Sequence, residues 1–265
     1  IKKKMINFEN SRFFYDPFPH CVLDDFLEKN IYEQICLEYP KHSFFEEIKG
    51  KILDNKFKKY RFSNSIKTEG VFDSFIKTTS STKEFYKYIN SDKFIVSLDE
   101  FLKNNEVELR LNTHSKTSFY TFVKTLLKKK RKIDFEFSSI PIENGHILPH
   151  TDGGNKLVGF VIPIIDDDNI LNFENLGTKI YKAKIDKYKF NFYNKTVPFE
   201  HAELIRELPF KKNQMSLHVK TFNSLHGVGP INNQNIKETL FRKSISIFIL
   251  KWLFYKNFRS GFCRF

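Results

Sequence analysis

The 265-residue chain is 40% hydrophobic and 16% aromatic, which is enough apolar material for a large buried core and argues against a disordered chain. Its formal net charge of +13 favours an anionic partner, such as nucleic acid, a lipid surface or an acidic small molecule. AT-rich codons would produce the same excess of Lys, Asn, Ile and Phe, so composition alone leaves both interpretations open.

Cysteine usage and hydropathy indicate a compartment. Cys21, Cys36 and Cys263 form no CxxC pair, which predicts free thiols in a reducing environment. No apolar stretch follows the basic residues 2–4, so we expect no secretory leader. The longest apolar run, near residues 245–255, is well below the roughly 20 residues of a membrane span. We therefore expect a cytoplasmic protein, with peripheral contact at the inner membrane face as the alternative.

Helical spacing of apolar residues dominates the chain before residue 133. It predicts helices over residues 22–39, after the capping-box sequence 81–84, over 94–102 and over 119–127. Five consecutive cations, residues 128–132, follow the last of these helices, and the tail 251–265 interleaves aromatic and basic residues. The basic run could be a solvated helix end, and the tail could dock on the core. Alternatively, the two segments could contact a membrane or a polyanion.

After residue 133 the apolar period becomes two. Strands are predicted over residues 133–137, 159–165, 179–185, 215–219 and 244–250, separated by turn sequences. Short strands at this spacing are typical of a sandwich or barrel. We expect a single domain over residues 1–265, with a mostly helical part (1–132), a catalytic β-core (133–256) and a basic aromatic tail (257–265).

Two histidines and one aspartate form the strongest candidate site. His150 and Asp152 are two residues apart, and at the end of a strand such positions project to the same face. His226 follows in the sequence Asn-Ser-Leu-His-Gly-Val. Two histidines and one carboxylate make the facial triad of non-haem Fe(II) oxygenases, which leaves metal positions open for co-substrate and O₂.

An arginine and a serine complete this candidate site. Arg242 begins a predicted strand, and its planar guanidinium matches a carboxylate in bidentate fashion. Ser244 shares the same strand face and can add a hydroxyl hydrogen bond. Together they could hold the distal carboxylate of 2-oxoglutarate while the 2-oxo acid end binds iron.

These motifs resemble those of the Fe(II)/2-oxoglutarate-dependent oxygenase superfamily, particularly its prolyl-hydroxylase-like branch. The resemblance covers roughly the whole chain and is strongest over residues 133–250. The segment 16–27 also resembles the start of bacterial members. The residues that carry the motifs are Gly145, Pro149, His150, Thr151, Asp152, Lys156, Gly177, Thr178, Asn223, His226, Gly227, Val228, Arg242 and Ser244.

The resemblance implies an α+β fold, with a double-stranded β-helix (jelly-roll) core and an N-terminal helical layer. It implies that His150, Asp152 and His226 are the Fe(II) ligands. It also implies that Arg242 anchors 2-oxoglutarate and that O₂ is the second co-substrate. Two positions depart from the branch: Leu148 stands where it often has Tyr, a contact to 2-oxoglutarate, and Arg242 stands where it commonly has Lys, a change that keeps the cation.

Structural interpretations compete with these assignments. His150 and His226 could be core or turn histidines, with Asp152 capping the Gly-Gly pair that follows it. For Lys156 we expect a solvated loop position rather than a role in orienting substrate. The other histidines are expected to face solvent or to make structural hydrogen bonds; they are His114, His146, His201 and His218.

We expect a dioxygenase that hydroxylates a small molecule, a sugar or a lipid-linked glycan, and we hypothesise that this substrate is anionic. The alternatives are a protein or peptide (prolyl-type) hydroxylase and a catalytically silent barrel that only binds. Nucleic acid is disfavoured as a partner, because Phe248 stands where related nucleic-acid dealkylases carry a second Arg. Halogenation is disfavoured because related halogenases lack the carboxylate that Asp152 supplies.

Overall fold

The computed structural model describes residues 5–48, 58–65, 70–109, 132–143, 145–191, 194–231 and 240–251. The predicted helix over 119–127, most of the basic run 128–132, the tail 252–265, His114 and Cys263 lie outside these residues. None of the helices in the described ranges is long and apolar enough to cross a membrane.

Two antiparallel sheets form the framework. The large sheet has eight strands in the order β1-β2-β10-β7-β12-β5-β4-β3, and the small sheet has four in the order β6-β11-β8-β9. The strands are β1 Ser11–Phe14, β2 His20–Asp24, β3 Glu46–Ile48, β4 Lys59–Ser63, β5 Lys132–Pro141, β6 Ile147–His150, β7 Lys156–Ile164, β8 Thr178–Ala183, β9 Ala202–Leu208, β10 Gln214–Val219, β11 His226–Val228 and β12 Phe241–Leu250.

The last eight strands confirm the predicted jelly roll. In chain order, β5 to β12 pass between the sheets so that β5, β12, β7 and β10 are neighbours in one sheet. The strands β6, β11, β8 and β9 are neighbours in the other. This is the strand order of a double-stranded β-helix, in which closing one sheet over another protects most edges. The first four strands extend the large sheet at both ends, a contribution that the sequence patterns did not predict.

Helices cover the outer face of the large sheet. They are α1 Lys29–Leu37, α2 Val71–Thr78, α3 Ser81–Ile89 and α4 Asp92–Asn104, and a fifth short helix, α5 Asp186–Lys189, follows β8. Their apolar residues and alternate residues of β5, β7, β10 and β12 form the largest hydrophobic cluster. The main core therefore lies between the helices and the large sheet. The opposite face of that sheet is not part of this core and points into the jelly roll.

The first helix corrects one prediction. We expected a helix over residues 22–39, but residues His20–Asp24 form β2, and α1 covers only Lys29–Leu37. The residue that follows α1, Glu38, then caps another helix. Its carboxylate accepts hydrogen bonds from the backbone N–H groups of Ser80, Ser81 and Thr82, the last at 2.7 Å. The capping-box sequence thus does mark a helix start, but the capping carboxylate comes from elsewhere in the chain.

Polar residues occupy the inner face of the large sheet. On β12, Arg242, Ser244, Ser246 and Phe248 line a cavity between the two sheets, while Ile245, Ile247 and Ile249 on the opposite face join the hydrophobic core. The cavity has a volume of about 170 Å³. Alternation along the strand therefore separates an apolar face under the helices from a polar face inside the jelly roll.

Candidate metal centre

His150 and His226 meet on neighbouring strands of the small sheet. His150 is the last residue of β6 and His226 the first of β11, and the two are directly paired in the register. Their ring centroids are 4.5 Å apart, and both residues are buried. The strand pairing thus fixes both imidazoles at the wall of the cavity.

Asp152 reaches the same point from a turn. We expected it on the strand face of His150, but β6 ends at His150 and Asp152 has a left-handed backbone, with φ of 66°. Asp and Asn tolerate this conformation better than other residues with a Cβ. The turn, rather than strand alternation, brings the carboxylate to the histidines, and a strained backbone of this kind is common at functional sites.

The three side chains fit one metal ion. The Oδ1 atom of Asp152 lies 3.9 Å from Nε2 of His150, and Oδ2 lies 3.4 Å from Nε2 of His226. One ligand atom from each residue lies within 4.8 Å of the other two. Metal–ligand bonds of about 2.1 Å place neighbouring ligand atoms roughly 3 Å apart. The three side chains would therefore need to move only slightly closer together to bind an ion.

Backbone carbonyls orient both imidazoles. Nδ1 of His150 lies 2.9 Å from the carbonyl oxygen of Leu148, and Nδ1 of His226 lies 2.9 Å from that of Ser224. A carbonyl oxygen only accepts, so each Nδ1 carries the proton and donates it. Each Nε2 is left with a lone pair that faces the shared point, which is the usual outer-shell arrangement of a metal-binding histidine.

The charge states at this point suit a metal. Burial lowers the pKa of His150 to about 4 and, together with the nearby His218, holds that of His226 well below its usual value. Burial alone would raise the pKa of Asp152, but Lys156 and the neighbouring histidines hold it well below its usual value. At neutral pH the site therefore has two neutral imidazoles and one carboxylate, the forms that bind a metal without first losing protons.

A third histidine, His218, contacts the same carboxylate. Its Nε2 lies 2.9 Å from Oδ2 of Asp152, and its ring centroid is 4.0 Å from that of His226. We expected a surface or purely structural residue, and the structure places it in the site. Gly159 on β7 makes the room, because a Cβ there would lie 2.4 Å from Cε1 of His218.

Lys156 is also part of the site rather than a solvated loop lysine. Its ammonium lies 2.7 Å from Oδ1 of Asp152 and 3.2 Å from the centre of the Phe248 ring. Both oxygens of Asp152 thus have a partner: Lys156 at Oδ1 and His218 at Oδ2. Of the remaining predicted bystanders in the described residues, His146 and His201 do not line the cavity.

Arg242 lies at another wall of the cavity, fully buried. Its Nε donates to the carbonyl oxygen of Leu176 at 2.5 Å, and its guanidinium carbon is 4.7 Å from the centre of the Phe210 ring. Burial lowers its pKa to about 10, so the group is cationic at neutral pH. Among the described residues no carboxylate lies within 4.0 Å of it, and Ser244 lines the same wall. A buried cation without a carboxylate partner is suited to an anionic ligand.

A second cationic group lies on β4, at the same cavity, and pairs with a carboxylate on β5. Lys59 and Arg61 share the buried Glu136, with N···O distances of 2.9 and 3.7 Å. The Arg61 side chain is 38% exposed, so it is the more available of the two. Because two cations share one carboxylate, this wall retains a net positive charge.

Comparisons with solved structures return enzymes of the class that the motifs resemble. The chain is similar to a Pseudomonas putida prolyl-4-hydroxylase, with 8% identity, 88% of this chain and 92% of that chain covered and a TM-score of 0.45. It is also similar to a Trichoplax adhaerens prolyl hydroxylase in complex with a hypoxia inducible factor peptide, with 9% identity, coverage of 88% and 83% and a TM-score of 0.48.

The chain is also similar to a Burkholderia pseudomallei oxidoreductase of the 2OG-Fe(II) oxygenase family, with 9% identity, 87% of this chain and 84% of that chain covered, and a TM-score of 0.47. No protein-family model and no curated protein matches the chain. All three TM-scores are below 0.5.

Proposed function

We propose that this protein is an Fe(II)- and 2-oxoglutarate-dependent dioxygenase that hydroxylates its substrate. One observation carries the proposal. A centre of two neutral histidines and one ionised carboxylate lies in the same cavity as a buried arginine. This arginine has no carboxylate partner among the described residues. A metal site alone would fit many proteins, whereas the added carboxylate-binding cation indicates a dicarboxylic co-substrate beside the metal.

Each residue has a defined role in this proposal. His150, Asp152 and His226 hold the iron, which when bound supplies the redox chemistry that couples 2-oxoglutarate and O₂ to oxidation of the substrate. Arg242 binds the distal carboxylate of 2-oxoglutarate, and Ser244 adds a hydrogen bond from the next inward position of β12. The contact from Leu176 and the stacking on Phe210 fix the guanidinium before the ligand arrives, which reduces the ordering cost of binding.

The substrate that fits this cavity best is a small acidic molecule or an acidic sugar, including one on a lipid carrier. The supporting feature is the positive wall that Lys59 and Arg61 form. These residues lie on β4, which is towards the opposite end of the large sheet from β10, and they line the same cavity. Arg61 is held only loosely by Glu136 and is partly exposed, so it can turn to an anionic group. A peptide substrate remains the second candidate of the same reaction class.

The test is turnover of 2-oxoglutarate by anaerobically purified protein supplied with Fe(II), over matched acidic and neutral metabolites, sugars and glycolipids. We expect slow uncoupled turnover without substrate and stimulation by acidic compounds. Arg61→Gln should raise the KM for those compounds and leave uncoupled turnover unchanged. The absence of any 2-oxoglutarate turnover would contradict the enzyme assignment, and stimulation only by neutral compounds or peptides would contradict the substrate class.

Peripheral membrane contact remains a separate proposal. The segments that motivate it, residues 128–132 and the tail 252–265, lie almost entirely outside the described residues. Cations near an anionic leaflet contribute about 1 kcal/mol each and are screened by salt. Co-sedimentation with anionic vesicles, lost at high salt and in a charge-reversed 128–132 variant, is the expected result. Equal binding to neutral vesicles would contradict it.

A further inference from the structure

We infer that the two oxygens of Asp152 have different roles: His218 fixes Oδ2 as a positioning residue, and Lys156 is a displaceable counter-ion on Oδ1 that gives way to the metal. This rests on the proposed metal centre but goes beyond its ligand set. The observation behind it is the double contact on one carboxylate, at 2.9 Å to His218 and 2.7 Å to Lys156.

His218 is built into a rigid part of the fold. It lies on β10 between β2 and β7, paired with His20 on one side and Gly159 on the other. Its side chain is buried and packs against the ring of His226. It does not join the set of ligand atoms that lie within 4.8 Å of one another. His218 therefore acts on the metal through Asp152, by holding the plane of the carboxylate.

Such a contact matters more here than for an ordinary metal ligand. Asp152 lies beyond the end of β6 in a left-handed turn, so no strand pairing fixes its side chain. Instead, the hydrogen bond from His218, which lies on the facing large sheet, holds the carboxylate in place. Outer-shell partners of this kind typically change metal affinity by 10–100-fold.

Lys156 differs from His218 in every relevant property. It is the first residue of β7, its ammonium is on a flexible four-carbon chain, and its side chain is 21% exposed. Lys156 lines the cavity, and its ammonium balances the charge of the buried Asp152 carboxylate. A divalent cation bound by the same carboxylate would repel it, while its contact with the Phe248 ring, at 3.2 Å from the ring centre, does not depend on Asp152.

The two residues therefore have opposite expected effects on metal affinity. Without His218 the carboxylate loses its orientation and the metal binds more weakly. Without the charge of Lys156 the metal no longer competes with a bound cation and binds more tightly. A merely structural role for either residue would not produce effects of opposite sign.

The experiment is titration of the metal-free protein with Mn(II), followed by calorimetry and by the EPR signal of free Mn(II). His218→Leu should weaken binding by about 10–100-fold, and His218→Gln, which keeps an N–H donor, should recover part of the loss. Lys156→Met should tighten binding by about tenfold, the effect of removing one close charge, while Lys156→Arg should stay near the parent protein.

Thermal unfolding provides the second readout. Lys156→Met leaves a buried carboxylate without its counter-ion, so its metal-free Tm should fall and its gain in Tm on saturation with Mn(II) should exceed that of the parent. Weaker Mn(II) binding by Lys156→Met, or unchanged binding by a folded His218→Leu, would overturn the inference. Failure of the parent protein itself to bind Mn(II) would instead overturn the proposed function.

Discussion

Removal of any one of the three proposed ligands should abolish stoichiometric Fe(II) binding. His150→Ala and His226→Ala each delete one imidazole, and Asp152→Asn deletes the only anionic ligand. The Asn variant is preferable to Ala because Asn also tolerates the left-handed backbone at this position. We expect affinity to fall by more than about 100-fold in each, since even outer-shell partners account for 10–100-fold.

Anaerobic equilibrium dialysis with Fe(II) measures this directly. His201→Ala is the matched control, because His201 does not line the cavity and should leave one iron per chain. Tm values of the metal-free proteins show whether each variant is folded. Iron stoichiometry that survives all three substitutions in folded protein would show that the triad is not the metal site.

Arg242→Ala should raise the concentration of 2-oxoglutarate required for half-maximal turnover far more than it changes iron binding. The variant removes a buried, charge-assisted contact and leaves a carboxylate of the co-substrate unpaired, which costs about 2–5 kcal/mol. Affinity should therefore fall by roughly 30-fold or more. Arg242→Lys should recover part of this loss, because it restores the charge but not the bidentate fork.

Calorimetric titration of the Mn(II)-loaded protein with 2-oxoglutarate separates this effect from turnover. The necessary control is the Mn(II) affinity of the same variants, which should stay near that of the parent because Arg242 contacts none of the three ligands in the described hydrogen bonds and ion pairs. Unchanged 2-oxoglutarate affinity in Arg242→Ala would place the anchor elsewhere, with Lys243 and Lys220 as the next cations to vary.

The sequence was sufficient for the jelly-roll strands and for bringing the triad and Arg242 to one cavity. It was insufficient for His218. On β10 the apolar residues Met215, Leu217 and Val219 alternate with polar ones, which normally indicates a solvent-facing polar side. Here the whole strand is buried, because helices cover the apolar face and the small sheet faces the polar one. Alternation of apolar and polar residues distinguishes the two faces of a strand, but it does not predict which part of the fold covers each face.

The sequence predictions for Lys156 and for the first helix were wrong for related reasons. A lysine next to a Gly-Gly turn reads as solvated, and only the fold brings its ammonium to Asp152. Before α1, the apolar residues Val22, Leu23, Phe26 and Leu27 fit a helical period, yet β2 takes the first two because it pairs with β10 on one side and β1 on the other. Tertiary pairing overrode the local pattern in that segment.

The close approach of Gly159 to His218 has a consequence for how this sequence can diverge. A side chain at position 159 would collide with the imidazole, at 2.4 Å from Cε1 and 2.5 Å from Nε2. The two positions face each other on paired strands, so neither can change freely while the other stays. In homologous chains we expect them to covary: a glycine at 159 wherever a histidine occupies 218, and alanine or a larger residue at 159 only where 218 has become small. Such chains would lack the anchor on Asp152 and should hold their metal less tightly.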